Sequence, residues 1–367
     1  MPIFAFSGSL TRAAPNYGEA NGRGITSFIF DEVSGRLEPV SEFPGIDDAN
    51  WLVVDAEHRR LYAVCEVAGT DQSWVESFSI APDGSLTQLN RQPTGGQTGC
   101  HASFTPDGRV LLVANYNAEV PPGSPDGAVA LLPVGNEGWL EPASASLRHD
   151  GRGPNASRQA RSHGHCVVVS PDGRFAYVAD LGIDKIVVYA IGAQGSLVRQ
   201  SGIDFAVPPG LGPRHLVFQA DGRRLFMVSE LIATVVALDV DPATGALSLA
   251  DSFAIEQTSE AIVQPSGILL TADGRNLFVE LRQCDEILGL AVDPKTGKLS
   301  QTGRWPAGGA TPRDFAFSPD GRFLLVANQD ADRITVFPVA GGKLGEPVQR
   351  LDVGTPMAIK LAAFPSI

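Results

Sequence analysis

The sequence predicts an all-β chain, a seven-bladed β-propeller with four antiparallel strands per blade and a ring closed by strands from both termini. Three observations carry this. First, one turn phrase recurs: Ser-Pro-Asp-Gly-Arg at 170–174 and 318–322, Thr-Pro-Asp-Gly-Arg at 105–109, Ala-Asp-Gly-Arg at 220–223 and 272–275, and a degenerate copy at 55–59. Its aspartates, Asp107, Asp172, Asp221, Asp273 and Asp320, lie 65, 49, 52 and 47 residues apart, a period of about 50 in which the long first gap holds a Pro/Gly insert around 121–126. Second, each phrase separates two apolar, β-rich runs, as in Cys166-Val-Val-Val before one copy and Phe175-Ala-Tyr-Val after it. Asp-Gly between such runs is a strong hairpin signal because glycine accepts the positive φ of the tight turn. Third, 40 glycines and 27 prolines are spread along the chain, as many short elements joined by tight turns require.

Taken in order, a second hairpin follows each first one. These outer hairpins are expected at 25–37, 75–86, 128–140, 186–197, 235–247, 287–299 and 334–344. Two hairpins per period make four strands, the unit of a propeller blade. Seven outer hairpins against six inner ones leave one blade incomplete, and the runs at 3–8 and 357–364 are available to complete it. Closure of that kind removes the exposed strand edges of an open array. One domain over residues 1–367 results, with a β-helix or a pair of β-sandwiches as the architectural alternative.

Composition narrows the function. Hydrophobic residues at 43% and charged residues at 19% suit a globular chain with a substantial core. A net charge of −13 opposes binding to nucleic acid or to an anionic membrane surface. The N-terminal residues lack a basic region followed by a long apolar one, and no apolar run approaches 18 residues. Cys65, Cys100, Cys166 and Cys284 are far apart, so neither a disulfide framework nor a zinc site is indicated. A reduced, cytoplasmic setting is expected.

Aligning the chain on its own repeat locates the chemistry. Five residues before the phrase stand Asn50, Cys100, His165, Arg214, Ser266 and Arg313; eleven after its start stand Glu66, Tyr116, Leu181, Glu230, Arg282 and Gln329. In an antiparallel blade the start of strand one and the end of strand two share the face opposite the Asp-Gly turn. One mouth of the central channel is therefore expected to carry a ring of functional groups. Three arginines, a histidine and two glutamates there point to an anionic small molecule, because the guanidinium fork binds carboxylate or phosphate through two hydrogen bonds. The plain alternative is that strand ends are polar because they meet water.

Five of the six histidines, His101, His149, His163, His165 and His215, fall at or just before inner strands. His163 and His165 share one side of a strand. Such a pair can ligate a metal, but no cysteine or carboxylate cluster accompanies it, so no metal and no cofactor is expected. Acid/base catalysis or donation to a substrate fits the pair better. The segment 148–165 is long, irregular and basic, as functional loops are. It carries no dinucleotide fingerprint, and the chain has no Gly-x-Ser-x-Gly elbow for a serine hydrolase.

The motifs His149-x-Gly-x-Gly-Pro-Asn155, Arg158-Gln159, His163-x-His165, Ala179-Asp-Leu-Gly182, Gly212-Pro-Arg-His215, Ser229-Glu-Leu231, Pro312-Arg313 and Ala327-Asn-Gln-Asp330 occur in order. With them the chain resembles the seven-bladed propeller lactonases, a family that includes the propeller type of 6-phosphogluconolactonase and the fungal 3-carboxy-cis,cis-muconate lactonizing enzyme. The resemblance implies a catalytic set of His165 (or His163), Arg214, Glu230 and Arg282, positions that the repeat alignment also selects. His163, Arg313, Arg158, His101, His149, Glu66 and Tyr116 are the candidates for substrate binding. One departure stands beside Arg282, where the family commonly has Ser-Asn-Arg and this chain reads Glu280-Leu281-Arg282. The stretch from Arg12 to Arg23 is also unusual for the family and is expected to cover the mouth. The implied activity is hydrolysis of an anionic sugar-acid lactone, with 6-phosphogluconolactone foremost. Arg214 and Arg282, with Arg313, would hold the anion and the oxyanion, and Glu230 or His165 would take the proton from water. The alternatives are lactone formation from a muconate by the same groups, and a non-catalytic interaction platform.

Overall fold

The computed structural model describes residues 1–13, 19–67, 70–118, 120, 123–257 and 263–365. The repeated phrase forms its hairpins through side chains as well as glycine. Ser170 Oγ donates to Asp172 at 2.6 Å, the Asp172 carboxylate accepts from the Arg174 amide at 3.1 Å, and Ser170 Oγ accepts from the Phe175 amide at 3.0 Å. The same pattern recurs around Asp107, Asp273 and Asp320. Gly173 completes the turn at φ +73°, where a side chain would be strained.

These hairpins build seven antiparallel sheets among the described residues. Blade 1 starts on Ala49–Asp55, blade 2 on Gly99–Phe104, blade 3 on Gly164–Val169, blade 4 on Pro213–Phe218, blade 5 on Pro265–Leu270 and blade 6 on Pro312–Phe317. Blade 7 joins the termini: its first strand is the C-terminal Pro356–Ala363, paired to Ile3–Ser9 with Ala5 opposite Leu361, followed outward by Ile25–Asp31 and Arg36–Phe43. The first strands touch one another in sequence around a closed ring, with Pro356–Ala363 between blades 6 and 1. Completion of the last blade by both ends of the chain is as the hairpin count requires. The outer edges of blades 3 and 6 are each split into two short segments, Leu197–Arg199 with Phe205–Ala206 and Lys343–Leu344 with Gln349–Asp352.

Each pair of neighbouring blades buries one apolar cluster. Between blades 3 and 4, for example, Tyr177, Val188, Leu216 and Met227 pack together. Blades are also tied at the mouth face by aspartates in left-handed backbone, a conformation Asp tolerates better than most residues. Asp184 (φ 53°) accepts from the Gly212 amide at 2.8 Å, Asp285 from Thr311 at 2.7 Å and Asp332 from Thr355 at 2.8 Å. Each clip fixes the backbone just before the next blade's first strand. Among the described residues no helix is long and apolar enough to cross a membrane, and the four cysteines are free.

Candidate functional site

The ladder between first and second strands skips one residue at the same place in five blades: Asn50, Cys100, His165, Arg214 and Arg313. Bulges of this kind re-aim a side chain out of the regular alternation. Asn50, Cys100, His165, Arg214 and Arg313 line one cavity at the channel mouth together with Trp51, His215 and Met357. From the other side of the same face come residues just past the second strands. Glu230 follows Arg224–Ser229 with its amide donating to Gly212 O at 2.9 Å, and Arg282 follows Asn276–Leu281 with its amide donating to Gln264 O at 3.0 Å.

Glu230 is the centre of the arrangement. Its Oε2 lies 3.1 Å from Arg214 Nε, 3.3 Å from Arg282 Nη2 and 3.8 Å from His165 Nε2. Its Oε1 accepts from Arg158 Nη2 at 2.6 Å and from Gln264 Nε2 at 3.0 Å. Burial alone would raise this carboxyl's pKa, yet the surrounding Arg282, Arg214, His165 and Arg158 hold it well below the ordinary range. Glu230 is thus an ionised carboxylate and a weak base. The His165 pKa is also lowered: burial first, then Arg214, take it well below that of a free imidazole, so the ring is neutral. Arg214 Nη1 stands 3.0 Å from His165 Nε2, and since a guanidinium can only donate, Nε2 is the accepting nitrogen.

The loop 148–163 brings Arg158 across three blades. Its Nη2 donates to Tyr116 Oη at 3.1 Å as well as to Glu230, and the Tyr116 ring stacks on His163 at 4.4 Å and 18°. His163 Nδ1 donates to the Tyr116 carbonyl at 2.6 Å. Glu66, opposite, accepts from Asn50 Nδ2 at 2.6 Å.

The family description "Lactonase, 7-bladed beta-propeller" matches residues 6–361. The chain belongs to this lactonase family. Among its relatives, the 6-phosphogluconolactonase of Bacillus subtilis is 29% identical over 325 residues, 88% of each chain. That of Formosa agariphila is 27% identical over 366 residues, 98% of this chain and 99% of its own. The solved periplasmic gluconolactonase of Pseudomonas aeruginosa superposes with a TM-score of 0.90 at 32% identity, covering 100% of both chains. Lactone hydrolysis is therefore the activity class of this protein.

The lactonase gathers Glu230, His165, Arg214, Arg282, Arg158, Arg313, Tyr116, His163 and Glu66 at the mouth, but not every candidate residue comes there. His149 is a correction. Its side chain is fully buried, with Nδ1 at 2.7 Å from Asp180 Oδ2 and Nε2 at 2.7 Å from Tyr189 Oη, so both ring nitrogens are already bonded inside the protein. Asp180 also accepts from Ser162 Oγ at 2.5 Å and from the His163 amide at 2.8 Å. This network anchors the loop that carries Arg158 and His163, and the family motif residue His149 acts there as a strut. His101 is the second correction. It does not line the cavity: its ring packs on Trp51 at 4.2 Å and against His215 at 5.4 Å, and burial drives its pKa to about 3. The stretch from Arg12 to Arg23, expected over the mouth, has residues 14–18 outside the described set; in the described part, Arg12 pairs with Asp47 and its amide donates to Asp48.

Sequence reading missed Gln264, which precedes blade 5 and carries no repeat signal. It also left open what Glu280 does. That carboxyl is buried, with Oε2 accepting from the Gly267 amide at 3.1 Å and Ser266 Oγ at 3.3 Å. A Cβ on residue 267 would lie 2.5 Å from that oxygen, so a side chain there would displace the carboxyl. Burial, with Asp314 adding to it, pushes the Glu280 pKa up to about 8. The folded lactonase therefore keeps this proton up to about pH 8, whereas the unfolded chain releases it near an ordinary carboxyl pKa of about 4.3. Stability from this group is greatest in acid and falls by roughly 1.4 kcal/mol per pH unit through that window. Glu280→Gln should remove this group's share of the pH dependence, so that the variant's denaturation midpoint gains on the parent's from pH 5 through 6.5 to 8 and exceeds it at pH 8. Parallel profiles for the two proteins would show that Glu280 is ionised in the fold.

Proposed function

We propose that the protein hydrolyses a sugar-acid lactone that carries an anionic substituent, with 6-phosphogluconolactone the leading substrate. The observation that carries this reading is the convergence of Arg158, Arg214 and Arg282 on the single carboxylate of Glu230, with Arg313 in the same cavity and His165 neutral. Four guanidinium groups face two carboxylates, Glu230 and Glu66, which leaves a positive excess suited to a phosphate dianion. The 6-phosphogluconolactonases among its relatives act on a substrate of that class by name.

The chemistry follows from the geometry. An anion drawn to Arg214 competes for the N–H that now occupies His165 Nε2, and so frees that lone pair for water. Water adds to the lactone carbonyl as His165 takes its proton, and the tetrahedral oxyanion is met by guanidinium N–H groups of Arg214 and Arg282. The imidazolium is stabilised by the charge of Glu230, whose Oε2 lies 3.8 Å from that same nitrogen. Collapse breaks the bond from carbonyl carbon to ring oxygen, and the proton passes from His165 to that oxygen. The product is the open hydroxy acid.

A panel of phosphorylated, carboxylated and neutral lactones, corrected for spontaneous opening, tests this. The phosphorylated sugar lactone should give the highest kcat/KM, and equal rates on neutral lactones would remove the role given to the arginines. Turnover of none would favour an interaction platform. Among the described residues no three His, Cys, Asp or Glu side chains gather to hold a metal ion. Activity should accordingly persist in excess EDTA; loss of activity restored by one divalent cation would recast His163 and His165 as ligands.

A further inference from the structure

Asn50 lies at the bulge that opens blade 1 and lines the same cavity as His165 and Arg214. Its amide nitrogen is fully used: Nδ2 donates to Glu66 Oε2 at 2.6 Å and to Gly99 O at 2.9 Å. A carboxylate and a carbonyl are both acceptors, so turning the amide over would set oxygen against oxygen, and its orientation is fixed by chemistry. The oxygen Oδ1 is left buried and, among the described residues, without a hydrogen-bond partner. Buried acceptors are bonded in the great majority of cases, and an exception calls for a reason.

The other polar groups of the cavity do not supply that reason. Arg214 and Arg313 are donors that match an anion, and His165 Nε2 already accepts from Arg214. A fixed acceptor is complementary to a donor on the ligand, and the donors of a sugar lactone are its hydroxyl groups. We infer that Asn50 Oδ1 accepts a hydrogen bond from a ring hydroxyl of the substrate, with Glu66 holding the amide in place, so that the site reads the polyol as well as the charge. A lactone or muconate without hydroxyls leaves that oxygen unpaired. This inference rests on the sugar-lactone reading above.

The test is a binding cycle that needs no turnover. Calorimetry would measure 6-phosphogluconate, the open product, and its 2-, 3- and 4-deoxy analogues on the wild type and on Asn50→Leu, which keeps the side-chain shape and removes the acceptor. One deoxy analogue should bind the wild type about 5- to 10-fold more weakly than the parent compound, the usual worth of one neutral hydrogen bond, and that difference should vanish in Asn50→Leu. Should Asn50→Leu fail to fold because Glu66 loses the Asn50 amide, Asn50→Leu combined with Glu66→Leu removes both buried partners and completes the cycle. Equal binding of all four ligands by the wild type would overturn the inference while leaving the lactonase reading intact. So would a deoxy penalty that survives in the leucine variant. A wild type that neither binds 6-phosphogluconate nor opens its lactone would fail the proposed substrate itself, and this inference with it.

Discussion

Glu230→Gln is expected to lower kcat by about 100- to 10,000-fold without raising KM for a phosphorylated lactone. The carboxylate touches three arginines and faces His165, and a neutral amide can neither stabilise an imidazolium nor anchor those guanidinium groups. Removing its charge leaves the mouth more positive, so ground-state attraction for an anion is kept or strengthened while the transition state loses its support. That split between kcat and KM separates the role argued here from a purely structural one, which would reduce the active fraction and leave kcat per folded site unchanged. Folding must be checked in parallel, because breaking a buried ion pair costs about 3–5 kcal/mol. If His165 is the base, His165→Gln should lose activity by a similar factor, and a fully active Glu230→Gln would sink the proposed site. Arg214→Ala should show the complementary split, a higher KM together with a lower kcat, because it contacts Glu230, His165 and the cavity at once.

Deleting residues 356–367 should abolish cooperative folding of the entire chain. The deleted piece includes the first strand of blade 7, which lies between blades 6 and 1 and closes the ring. Met357, Ile359 and Phe364 are essentially fully buried, and Phe364 packs edge-on against Phe4 and Phe6. Each such side chain contributes about 1.5–3 kcal/mol, so the three together rival the 5–15 kcal/mol typical of a whole protein, before counting the newly exposed edge of Ile3–Ser9. Far-UV circular dichroism with chemical denaturation reads the outcome. A single transition at an unchanged midpoint would refute closure by both termini.

The repeat determined the architecture without any help from tertiary contacts. Ser170, Asp172 and Gly173 form their turn through bonds that span only a few residues, so a local phrase is enough to announce a hairpin, and its recurrence is enough to count blades. The repeat also placed His165, Arg214, Glu230 and Arg282 on one face, because strand ends alternate between two faces of a disk whatever the details. What the sequence could not decide was the direction of individual side chains. The ladder skips at Asn50, Cys100, His165, Arg214 and Arg313 lie at the end of each inner hairpin farthest from the turn, so the phrase that announces the hairpin does not encode them. His149 illustrates the limit. It sits in a family motif, yet it reaches Asp180, 31 residues away, and Tyr189, 40 residues away, and becomes an internal strut. Gln264 and Arg158 meet on Glu230 for the same reason: the ring brings blades 3, 4 and 5 together at the channel, and only the folded ring sets which lone pairs face one another.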